Sequence, residues 1–71
     1  MGITEDIADE LALKALEEET RLGDESIVKN VSEALGATST TTQEAYLTAI
    51  RVRRAQQRAL KVLAESAARA P

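Results

Sequence analysis

The chain has 71 residues, no cysteine, no histidine, a single aromatic side chain and a formal net charge of −3. Those absences remove disulfides, thiolate nucleophiles, imidazole bases and the usual zinc ligands, so no redox or zinc chemistry, no enzyme and no cofactor is expected. The length allows one small domain, residues 1–71, at a size where one core is marginal and a partner chain often helps.

Charge is sorted along the chain. Residues 1–40 hold ten acidic and three basic side chains, a net of −7, whereas residues 41–71 hold six basic and two acidic ones, a net of +4. Such halves can satisfy each other within a chain, between chains, or through a third party. No apolar run is long enough to span a bilayer, and the first residues are acidic where a signal peptide is basic, so the expected location is cytoplasmic with no membrane contact.

A first helix is predicted over residues 3–22. Ile3, Ile7, Leu11, Ala15 and Leu22, with Ala8, Ala12 and Leu16 beside them, recur at three- and four-residue steps along one broad stripe. Glu5, Asp6, Asp9 and Glu10 suit the positive end of the helix dipole, with Thr4 or an earlier residue as the cap, and Gly23 supplies a left-handed stop. A second helix is predicted over 24–35, capped by Asp24, carrying Ile27, Val31, Ala34 and Leu35, and ended by Gly36.

Residues 37–41 read as a threonine-rich loop, because clustered hydroxyls compete for backbone hydrogen bonds. Thr41 and Glu44 fit a reciprocal capping box that starts a third helix, predicted over 41–69, which meets no glycine or proline until Pro71. Residues 66–71 are expected as a frayed, alanine-rich tail. Roughly 29 residues make about 43 Å of helix, against about 30 Å and about 18 Å for the other two. A compact globule of this length is only about 29 Å across. The expected fold is therefore all-α: a short helical hairpin packed on a long third helix that spans it or projects beyond it.

The predicted inner stripe of the third helix is Ala45, Tyr46, Ala49, Val52, Leu60, Leu63, Ala64 and Ala67, interrupted by Arg53, Gln56 and Gln57. A polar layer in an apolar stripe is either half exposed, with long stems lying along its edge, or the register-fixing layer of a helix pair. On the second reading Tyr46, Arg53, Gln56, Gln57 and Leu60 form an oligomer interface. Tyr46 is also suited to anchoring the junction of the three helices. On the opposite side Arg51, Arg54, Arg58 and Lys61 form a basic ridge about 15 Å long, suited to carboxylates or phosphates of a partner. The acidic run Glu17-Glu18-Glu19 points in three directions and reads as a solvated face.

Residues 27–47, with Leu35-Gly36-Ala37-Thr38-Ser39 followed by Thr41 and Thr42 opening a helix that carries Ala45 and Leu47, resemble the helix-turn-helix of small DNA-binding regulators. The resemblance implies that Thr40, Gln43 and Glu44 face a major groove. Ser32 and Thr42 depart from its pattern, standing where a small apolar and an aliphatic residue are usual. The acidic total and the lack of stacking aromatics weigh against nucleic acid. The expected function is a small, non-enzymatic protein-protein interaction or assembly module that self-associates through the third helix and has no small-molecule substrate. A helix-turn-helix DNA-binding regulator is the alternative.

Overall fold

The computed structural model describes residues 2–69. Three helices account for nearly all of it: α1 (Ile3–Leu22), α2 (Ser26–Gly36) and α3 (Thr40–Ala67). The all-α hairpin on a long helix is thus the observed architecture. Of the predicted tail, Ser66 and Ala67 close α3 and residues 68 and 69 form a turn, while residues 70 and 71 lie outside the described residues.

The helix ends follow local chemistry, with shifts of a residue or two from the sequence reading. Gly2 precedes α1, and its amide donates to Glu5 Oε1 at 3.1 Å. Gly23 has φ of 65° and ends α1 as expected, with its amide and that of Asp24 both donating to the Glu19 carbonyl. Only glycine adopts that left-handed conformation without cost. The Asp24 carboxylate accepts from the Ser26 amide at 2.9 Å and the Ser26 hydroxyl at 2.7 Å, so it nucleates α2 from just outside it.

The cap of α3 is reassigned. Ser39, not Thr41, caps α3: its Oγ accepts from the Thr42 amide at 3.1 Å and donates to Thr42 Oγ1 at 2.9 Å. Any hydroxyl in the threonine run can play this part. The loop shrinks accordingly to residues 37–39, and Thr40 and Thr41 are helical. Gly36 ends α2 as expected, being its last residue, with no left-handed backbone. Its small size has another use, because a Cβ built there would stand 2.5 Å from Gln43 Nε2. The Gln43 side chain crosses that gap to donate to the Ser32 carbonyl at 2.9 Å.

The core is small and rich in alanine. Ala8, Ala12, Ala15 and Leu16 of α1, Val28 of α2, and Tyr46 and Ile50 of α3 are buried together. Of the larger aliphatics of the predicted stripe of α1, Leu16 is in the core and Leu11 packs against it, whereas Ile3, Ile7 and Leu22 are exposed. Alanines at i, i+4 and i+7 let α3 approach α1 closely, and this is the most extensive interface in the molecule. Tyr46 is 0% exposed and is the largest fully buried side chain. Its hydroxyl donates to the Val28 carbonyl at 2.8 Å, tying α2 to α3. Burial raises the Tyr46 hydroxyl pKa above its ordinary value, with nearby Arg54 pulling the other way. No buried side-chain nitrogen or oxygen among the described residues lacks a hydrogen-bond partner.

From Gln43–Ser32 to Tyr46–Val28, residue numbers rise on α3 as they fall on α2, so these two helices are antiparallel. Helices α1 and α3 run in the same sense: Asp9 meets Arg53, and Leu16 and Thr20 lie beside Gln57. Helix α3 has 28 residues against 20 in α1, and it outruns the hairpin. The molecule is 53 Å along its longest axis, well beyond the diameter of about 29 Å for a compact globule of this length.

Candidate interaction surface

From residue 55 onward every described position of α3 is exposed. Leu60, Val62 and Leu63 are 56%, 63% and 64% exposed, and Val52, just before them, is 62% exposed. Val52, Leu60 and Leu63 belong to the stripe expected to face the hairpin. Leu60 and Leu63 stand uncovered because α1 ends at Leu22 and the hairpin does not reach them, whereas Val52, between buried Ile50 and the Arg53–Asp9 pair, faces away from α1. Val62 lies off that stripe and was not expected to matter. Its signal was length alone: a helix this long cannot be covered by two shorter partners.

The basic ridge divides. Arg54 is half-buried, and its Nη2 donates to Glu19 Oε2 at 3.1 Å and Oε1 at 3.3 Å. It therefore stitches α3 to α1 rather than facing outward. Arg51, Arg58 and Lys61 are exposed and have no carboxylate within 4 Å among the described residues. Arg54, Gln57, Arg58 and Lys61 line a shallow open depression on α3. An adjoining cleft between α2 and α3 mixes Lys29, Arg54 and Arg58 with Glu19, Glu25 and Glu33.

The residues expected at an oligomer interface also divide. Tyr46 is enclosed by its own chain and cannot meet a second one, so its role is the anchoring one. Arg53 makes a two-pronged pair with Asp9, Nε to Oδ1 at 2.8 Å and Nη2 to Oδ2 at 2.9 Å. That hydrogen bonding holds the Asp9 carboxyl below its ordinary value, outweighing the opposing effect of desolvation. Arg53 thus interrupts the apolar stripe because it reaches α1. Gln56, Gln57 and Leu60 remain exposed.

Elsewhere the acidic side chains are largely solvated. Within the run 17–19, Glu19 pairs with Arg54 and Glu18 with Arg21, whose hydrogen bonds lower the Glu18 pKa. Among the described residues no three carboxylates converge to hold a metal ion, and no helix is long and apolar enough to cross a membrane. Of the residues that the helix-turn-helix resemblance assigns to a groove, Thr40 and Glu44 are exposed. Gln43 is turned inward onto Ser32. Comparisons with protein-family models, curated proteins and solved structures give no match to this chain.

Proposed function

We propose that this protein is a small, non-enzymatic interaction and assembly module that self-associates through the distal half of α3. The observation that carries the reading is the exposed aliphatic set Leu60, Val62 and Leu63 on a helix that continues past everything packed against it. Uncovered apolar area of this kind on a projecting element is what a partner surface removes from water. Arg51, Arg58 and Lys61 beside it favour an acidic counterpart and give the contact a salt dependence. The internal contacts of Gln43 with Ser32 and of Arg54 with Glu19 support the protein-partner reading over the DNA-binding alternative.

Size-exclusion chromatography with light scattering tests the proposal. The wild type is expected to show a mass above 7.6 kDa that rises with concentration. Leu60→Asp with Leu63→Asp is expected to return it to the monomer value with its helical circular dichroism intact. A wild-type monomer at high micromolar concentration would sink the reading.

A further inference from the structure

We infer that the self-association is head-to-tail: the distal half of α3 in one copy docks on the acidic first half of α1 in a second copy. The inference rests on the interaction role proposed above and gives that role a geometry.

The molecule has a second uncovered apolar site. Ile3 and Ile7, at the start of α1, are 75% and 43% exposed. Because α1 and α3 run in the same sense, this site lies at the opposite end of the long axis from the end of α3. The two sites also carry opposite charge. Asp6 and Glu10 fall three and seven residues after Ile3, on the same helix face as Ile3 and Ile7. Asp6 pairs with no cation within 4 Å among the described residues, and Glu10 reaches Lys14 only at 3.9 Å. Around Leu60, Arg58 and Lys61 are free in the same way.

Contacts inside one copy show that these surfaces are chemically suited. The α1–α3 interface already joins an acidic helix to a basic one, through Asp9 to Arg53 and Glu19 to Arg54. On α3 the line that faces α1 runs through Tyr46, Ile50, Arg53 and Gln57, and at three- and four-residue steps it continues as Leu60, Lys61 and Ala64. Past Leu22 there is no α1 left to cover that continuation. An α1 from a second copy supplies both missing components, aliphatic side chains for Leu60 and carboxylates for Lys61 and Arg58. Pairing two α3 ends against each other would instead bring like charges together, which opposes association. A contact between two different surfaces closes into a ring or grows as an open chain, so assembly proceeds past the dimer.

Two surface variants, each checked for an unchanged helical spectrum, separate this geometry from a symmetric one by sedimentation analysis. Ile3→Asp with Ile7→Asp removes one surface, and Leu60→Asp with Leu63→Asp removes the other. Each alone is expected to associate roughly tenfold more weakly than wild type or worse, as loss of buried interface side chains brings. Mixed in equal amounts they are expected to form a one-to-one dimer and nothing larger, because each retains one intact surface. Assembly of the Ile3/Ile7 variant equal to wild type, or a mixture that stays monomeric while wild type assembles, overturns head-to-tail docking and leaves self-association through α3 standing. A monomeric wild type overturns both. Charge reversal gives an independent readout: Asp6→Lys with Glu10→Lys and Arg58→Glu with Lys61→Glu should each weaken assembly, and all four in one chain should restore it. Failure of the combined variant to recover counts against the inference.

Discussion

The first and second halves of α3 share alanine, aliphatic and basic residues and finish in different surroundings. Up to Arg54 one face of the helix is covered: Tyr46 and Ile50 are buried, and Arg53 and Arg54 each hold a carboxylate of α1. From Ala55 onward the same mixture of alanine, aliphatic and basic residues meets nothing, and Arg58, Leu60, Lys61 and Leu63 all face outward. The difference is not in the helix but in the reach of the hairpin. A pattern that specifies an interface within the chain for four turns persists for three more turns with no partner supplied by the chain, which is the basis for proposing a second copy as its occupant.

If the first half is the folded core and the second a free surface, truncations should separate them most strongly. Tyr46→Ala should cost about 3–5 kcal/mol. That is comparable with the whole stability of about 5 kcal/mol at the low end for small domains, so the cooperative thermal transition should disappear from far-ultraviolet circular dichroism. Leu63→Ala in dilute solution should stay within about 0.5 kcal/mol of wild type.

Over-packing sharpens the contrast at smaller scale. Ala12 is fully buried, so Ala12→Leu should destabilise by about 1–3 kcal/mol in urea unfolding as α3 is forced away from α1. Ala59→Leu, in the uncovered half, should leave the monomer unchanged within about 0.5 kcal/mol. A large loss at Ala59 would mean that the distal helix packs against something in the monomer.

The smallest effect expected is electrostatic and is confined to the covered half. Asp9 has its pKa lowered in the folded state by Arg53, so its contribution is present above its ordinary value of 3.8 and is lost as pH falls through the lowered value. Wild type should therefore lose stability in acid more steeply than Asp9→Asn, as read from thermal melts between neutral pH and pH of about 3. Glu18 and Asp24, whose pKa values are lowered in the same direction by Arg21 and Ser26, keep the difference partial. Arg53→Ala should return the Asp9 carboxyl toward its ordinary value in an NMR titration.

Helix number, order and approximate length were legible because glycines, hydroxyls and acidic first turns mark ends by local chemistry. Packing was less so, because it depends on where surfaces meet. The stripe of α1 read from helical spacing runs through Ile3, Ile7, Leu11, Ala15 and Leu22 with Ala8, Ala12 and Leu16 beside them; the close approach of α3 buries the alanines and Leu16 and leaves Ile3, Ile7 and Leu22 exposed. Ile50 was missed for the same reason. Gly36 was read as backbone punctuation when its size makes room for Gln43, eleven residues from the Ser32 it bonds. Three of the four ridge residues, Arg51, Arg58 and Lys61, are exposed and unpaired among the described residues. Arg54 is paired, and nothing local to α3 reveals that Glu19 lies opposite it.

Hydrogen exchange followed amide by amide at several protein concentrations tests the contrast between the two halves most directly. Amides from Tyr46 to Arg53 should be slow at every concentration. Those from Arg58 to Ala67 should exchange fast when dilute and become protected as concentration rises, at the concentrations where the mass increases. Distal amides that stay unprotected in concentrated solution, or that are already as slow as the proximal ones when dilute, would contradict the account.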